Sequence, residues 1–112
     1  MNFEDLEWRK QTERETGSLQ SLPDDWYDDL VAYLDDDALD DPERRSAEAI
    51  ADGLVDRRLG KIVKLASWDA ADAPTDTSPL TTPEAALYAD LVECLERFRA
   101  ETLAPAREET SE

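Results

Sequence analysis

In the last third of the chain, Leu87, Leu91, Leu95 and Phe98 follow one another at spacings of four, four and three, with Tyr88 and Val92 beside them. That repeat lays apolar side chains along one face of a helix. It recurs in PDDWYDDLVAYL, residues 23–34, and in RRLGKIVKLAS, residues 57–67. No stretch alternates apolar and polar residues as a half-buried strand does. The fold class expected is therefore all-α: a four-helix, bundle-like domain with a long central helix and no β domain. A chain of 112 residues supports one modest core. The domain is expected over residues 1–103, followed by a disordered acidic tail over 104–112.

Local signals set the expected boundaries. Asn2 can cap a first helix, with Asp5 three positions on as in a capping box. This helix runs to about Thr16 and stops at Gly17. Its apolar content is thin (Phe3, Leu6 and Trp8), so it needs a surface to dock on. Pro23 suits the first turn of a second helix, and Asp24 and Asp25 favour its positive end. DDDALDD, residues 35–41, ends that helix in a solvated turn. Asp41 is the expected cap of the third helix, Pro42 its first residue, and about Ser67 its end. On a wheel of 100° per residue, Leu59, Ile62, Val63 and Ala66 form its apolar side, while Arg57, Lys61 and Lys64 form a stripe almost opposite. Gly60, inside this helix, costs about 1 kcal/mol relative to alanine, and close approach of a neighbouring helix would explain it. Residues 68–81 read as a loop. Thr82-Pro83-Glu84 then caps and opens a fourth helix that ends near Leu103.

Charge bounds the function. Sixteen Asp and thirteen Glu face nine Arg and three Lys, for a net charge of −17. Such a surface repels nucleic acid and anionic lipid, so neither direct nucleic-acid binding nor membrane binding is expected. Acid excess with scarce lysine fits a salt-rich cytoplasm, in which the Debye length falls to about 3 Å, and points to a halophilic archaeal host. The start MNFEDLEWRK has neither the basic nor the apolar region of a secretory signal, so a cytoplasmic location is expected. With no histidine and one cysteine, histidine-based catalysis, zinc and haem ligation and an internal disulfide are excluded. No metal, cofactor or catalytic residue is expected. Cys94 falls at helical spacing among apolar residues and reads as a small buried hydrophobe.

Two groups of residues carry candidate function. Trp26, Tyr27 and Leu30 suit either a core or an interface, where aromatic anchors concentrate binding energy. The run RRLGKIVKLAS (Arg57, Arg58, Lys61, Lys64, with Leu65) holds a third of the chain's twelve cations. Its four positive charges leave −21 on the rest of the chain once they are taken from −17. A patch under that field grips DNA poorly. It suits either pairing with the chain's own helices or docking on an acidic subunit, and the sequence leaves these two level.

In this order, LPDDWYDDLVAYL (22–34), RRLGKIVKLAS (57–67) and LTTPEAALYADL (80–91) resemble the archaeal GINS subunit, in the class whose helical domain comes first. The most specific pattern is Arg58, Lys61, Ile62, Leu65 and Ala66. The resemblance implies a non-catalytic assembly factor of the replisome, forming a hetero- or homo-oligomer with other GINS subunits. It implies, too, that the protein bridges the MCM helicase to a RecJ-like protein in DNA replication. On this view Trp26, Tyr27, Leu30 and Leu34 lie on the family's second helix, and Arg58 and Lys61 on its long central one. The chain departs from the family in the short link over residues 35–41 and in having no strand-like segment for the small β domain typical of this class. A different reading of the same charge is a stand-alone acidic regulator that mimics DNA and occupies a basic protein's groove.

Overall fold

A computed structural model describes residues 1–110, with side chains through residue 104. The described residues form four helices and no strand: α1 (Phe3–Glu15), α2 (Trp26–Leu34), α3 (Asp41–Ala70) and α4 (Thr82–Thr110). The chain is all-α.

Everything is built on α3. Side-chain contacts give each neighbour its direction. Phe3 lies by Pro42 and Ser46, Lys10 lies over Gly53, and Glu13 reaches Arg58, so α1 runs parallel to α3 along its first half. Leu34 sits by Arg44 while Tyr27 reaches the start of α4, so α2 runs the opposite way. Glu84 meets Arg58 and Arg99 reaches Ala70 at the end of α3, so α4 again runs parallel to α3. Residues 71–81 bring the chain back between these two parallel helices. The 30 residues of α3 span about 45 Å at 1.5 Å each. The molecule measures 69 × 22 × 20 Å, and most of the difference is α4 projecting past the end of α3. The radius of gyration, 18.4 Å, exceeds the roughly 13 Å of a compact chain this long. The shape is an extended rod.

Two apolar clusters stabilise it. Leu6, Leu22, Trp26, Leu30, Ala47, Ala51 and Leu54 join α1, α2 and the first half of α3. Leu19, Ile62, Ala66, Leu80 and Tyr88 join the second half of α3 to α4 and to the segments that precede α2 and α4. Trp26 meets Tyr27 edge-on, with centroids 5.0 Å apart, a favoured geometry for aromatic pairs.

Several boundaries move for identifiable reasons. Asn2 caps α1 by accepting from the Asp5 amide at 2.8 Å. The other end closes at Thr16 in extended backbone, and Gly17 follows without a left-handed φ. Pro23 precedes α2 in a turn, where its carbonyl accepts from the Trp26 amide at 3.0 Å. The cap of α3 is Asp40, which accepts from the Glu43 amide at 2.8 Å, so Asp41 is already helical. This helix continues through Trp68 to Ala70 because it ends in a full C-terminal motif. Asp72 adopts φ 62°, and the Asp72 and Ala73 amides donate to the Asp69 and Trp68 carbonyls. Asp tolerates this left-handed position better than most residues. In the aspartate-rich turn after α2, Arg44 donates to the carbonyls of Leu34 and Asp36 at 3.0 Å each. Thr81, not Thr82, caps α4. At its other end α4 passes Leu103 and continues to Thr110. The backbone of the expected tail is therefore helical that far, in keeping with the helix-forming Ala, Arg and Glu around Pro105. Ser111 and Glu112 lie outside the described residues.

The apolar side of α3 is rotated from the expected one. Its buried residues are Ala47, Ala51, Leu54, Arg58, Ile62 and Ala66, whereas Leu59 and Val63 are exposed. An arginine stands where a wheel built on hydrophobicity does not place one. Close packing does not explain Gly60 either, since a Cβ there would meet nothing within 4 Å. The close approach is at Gly53, whose added Cβ would fall 2.9 Å from Lys10 Cε.

Candidate functional site: a buried ion cluster and the surface around it

Between the two apolar clusters lies a polar one. Arg58 is fully buried, and Glu13 and Glu84 nearly so. The three come from α3, α1 and α4. Arg58 Nε and Nη2 donate to Glu84 Oε2 and Oε1, each at 2.6 Å. This fork-to-fork pairing is the strongest geometry open to the two groups. Arg58 Nη1 donates to Glu13 Oε1 at 2.6 Å and to the Gln20 carbonyl at 2.7 Å, and Nη2 also reaches the Pro79 carbonyl at 3.3 Å. All five guanidinium N–H groups are thereby used.

Lys61, one turn further along α3, completes the cluster. Its ammonium donates to Glu13 Oε2, to the Glu13 carbonyl at 2.6 Å and to the Ser18 carbonyl at 2.9 Å. Two cations thus face two carboxylates, and the interior holds no net charge. Among the described residues, no buried side-chain polar atom lacks a partner. A buried charge left unpaired is strongly destabilising, so each member depends on the others.

Glu84 has a second task. Its Oε1 accepts from the Thr81 amide at 3.0 Å while the Thr81 hydroxyl accepts from the Glu84 amide at 3.4 Å. This is a reciprocal capping box at the start of α4. Tyr27 donates its hydroxyl to Glu84 Oε2 at 2.7 Å, linking α2 to the same carboxylate. Burial alone would raise the Glu84 carboxyl, but bonds from Arg58, the Thr81 amide and Tyr27 hold it below its ordinary value. Burial works against the Arg58 guanidinium as well, and its bonds to Glu84 and Glu13 more than compensate, so it stays charged. Burial and then the neighbouring Glu84 carboxylate push the Tyr27 phenol up. A general acid needs the opposite of what Glu84 has, a carboxyl raised toward neutrality. The cluster is built as a tie between helices.

The candidate residues therefore divide. Trp26 and Leu30 are buried in the first apolar cluster, with Tyr27 half-buried at its edge. Leu65 packs half-buried against the second. Arg58 and Lys61 hold helices of the chain together. Lys61 thus leaves the outward stripe it was expected to share with Arg57 and Lys64, drawn in by Glu13 and the Ser18 carbonyl. Arg57 and Lys64 are exposed, and the Lys64 ammonium lies 5.1 Å from the Trp68 ring centroid. Lys64 and Leu65 line a cavity of about 380 Å³ with Leu19, Trp68 and Pro79. Cys94 is exposed rather than buried. Glu13 and Glu84 escape a reading of the sequence because 29 acidic residues hide any two. The one local signal was T-x-x-E at Thr81–Glu84, a capping box whose carboxylate also serves Arg58.

The remaining surface is studded with large apolar side chains. Trp8 is 59 % exposed and Phe98 65 %. Val31, Leu59, Val63, Trp68, Leu87 and Leu103 are also exposed. No group of side chains suited to hold a metal ion occurs among the described residues. None of the described helices is long and apolar enough to cross a membrane. Comparison with known protein families, curated proteins and solved structures finds no match.

Proposed function

We propose that this protein is a non-catalytic assembly subunit, a GINS-like helical domain that scaffolds a replicative helicase through protein–protein contacts. The observation that carries the reading is the division of labour among its residues. Buried polar groups are consumed in tying four helices together, and large apolar side chains are left on the outside of the resulting rod. Exposed Trp and Phe on a rigid support are the anchors that protein interfaces use. The resemblance supplies the particular identity. Its three blocks fall on α2, on α3 and on the start of α4, and Tyr27, Arg58 and Glu84 from these blocks bond one another. On this reading the partners are other GINS subunits, with the MCM helicase and a RecJ-like protein beyond them.

The test is size-exclusion chromatography with light scattering in high salt, on the protein alone and mixed with a GINS subunit from the same source. A mixed complex is expected; two unshifted peaks overturn the reading. Arg57→Glu and Lys64→Glu are the variants to use, because both side chains are exposed. Weaker assembly with unchanged melting temperature places the basic surface at the subunit contact.

The acidic rod also bears on the DNA-mimic alternative. A net charge of −17 spread along 69 Å gives one charge per ~4 Å, against about 1.7 Å in duplex DNA. That is a dilute imitation, and it favours the scaffold. A mimic's affinity for DNA-binding proteins collapses with added salt, so the same chromatography in high salt separates the two readings.

A further inference from the structure

Three separate stretches of chain meet around the cavity beside Trp68: the segment after α1, the second half of α3 and the loop before α4. Bonds to the rest of the fold fix its walls. Lys61 holds the Ser18 carbonyl at 2.9 Å and Arg58 the Pro79 carbonyl at 3.3 Å, while the Thr75 and Tyr88 hydroxyls bond at 3.1 Å. The cavity is thus shaped in advance, and its volume of about 380 Å³ falls within the roughly 300–1,000 Å³ of small-molecule sites. Leu19, Leu65, Trp68 and Pro79 give it apolar surface. Two opposite charges also line it, Lys64 from α3 and Asp76 from the loop. Neither forms an ion pair, with the other or with any charged group among the described residues. The Lys64 ammonium lies over the Trp68 ring. Asp76 is engaged through Oδ1, which accepts from the Ser78 hydroxyl at 2.7 Å and the Ser78 amide at 3.0 Å. These two bonds hold its carboxyl below the ordinary value, so it is charged. Lys61, the third charged group on the wall, already spends its three N–H groups on Glu13 and Ser18.

We infer that this cavity binds a small zwitterion with an apolar body, the chemistry of an apolar amino acid or a dipeptide. Its carboxylate pairs with Lys64, its ammonium with Asp76, and its apolar part lies against Trp68 and Leu65. The inference goes beyond the proposed function and does not depend on it. Elimination by charge selects this ligand. A simple anion is opposed by the net charge of −17 and by Asp76 in the same wall. A simple cation faces Lys64. An uncharged apolar molecule would take water from both charged groups and give neither a partner, which costs free energy. A zwitterion presents no net charge to the field of the chain and offers a partner to each group.

The test is calorimetric titration of the full chain with L-phenylalanine and with L-leucyl-L-phenylalanine. Binding of at least one is expected, and which of them binds tighter reports the span between the two charges. Lys64 and Asp76 are exposed, so Lys64→Met and Asp76→Asn should keep their helical circular dichroism while weakening binding at least tenfold. Blocked ligands then assign each end. The N-acetyl form lacks the ammonium and should bind at least tenfold more weakly, with no further loss in Asp76→Asn. The amide form lacks the carboxylate and should show the same pattern with Lys64→Met. The inference is overturned if neither zwitterion binds at millimolar concentration, or if either variant leaves affinity unchanged. Equal affinity for the ligand blocked at both ends also overturns it, since that probe carries the apolar body alone. Chromatography with a GINS subunit reads the scaffold separately, because a hetero-complex can form whether or not the cavity is filled.

Discussion

Arg58 occupies a position on α3 where its neighbours one turn away, Leu54 and Ile62, are ordinary core residues. Its burial is made possible by two carboxylates delivered from distant parts of the sequence, 45 residues before it and 26 after. Replacing it with Met should therefore lower stability by about 3–5 kcal/mol, because Glu84 stays buried without a cation and Glu13 keeps Lys61 alone. Replacing all three together, with Gln at the two carboxylates, should recover much of that loss; urea denaturation of both variants gives the comparison. Glu84 also fixes a pH dependence. Its folded carboxyl lies below the ordinary value of 4.5, so between the two values the unfolded chain binds the proton and the folded one does not. The stabilisation is complete above the unfolded value and is lost as pH falls through the folded one. Melting temperature should drop on acidification below about pH 4.5, and Glu84→Gln should flatten that limb of the profile.

At the scale of elements, α1 is attached by charge as much as by apolar packing. It buries only Leu6 and Glu13, and its far end is held to α3 by bonds from Arg58 and Lys61 rather than by apolar packing. Lys61→Met should speed amide exchange in residues 12–18 before it affects α4, a difference visible by mass spectrometry. α3 has slack at Gly60, where a Cβ meets nothing, so Gly60→Ala should add up to ~1 kcal/mol to the denaturation free energy. The existence and order of all four helices could be read from periodicity and caps, because those signals are local. The cap of α4 was legible to within one residue. The buried face of α3 was not, since a hydrophobicity wheel puts Arg58 outside and Leu59 inside. Only the long-range partners reverse that: nothing local distinguishes Glu13 from the chain's other carboxylates, and the capping motif that marks Glu84 gives no sign of Arg58.

For the whole molecule, the rod follows from parallel stacking: α4 starts halfway along α3 and runs on past its end. Small-angle scattering should give a radius of gyration well above the roughly 13 Å of a compact chain. Salt should raise the melting temperature. The exposed carboxylates repel and are screened, while the buried ion cluster is screened much less; a series from 0.1 to 2 M KCl measures the slope. The connection between Arg58 and Glu84 has a consequence for synthesis. A nascent chain released or cleaved before residue 84 retains a guanidinium deprived of its bidentate carboxylate. It also lacks Tyr88, which closes the second apolar cluster. Prematurely terminated products therefore cannot reach a stable fold and are left open to proteases, so that only chains containing the start of α4 accumulate.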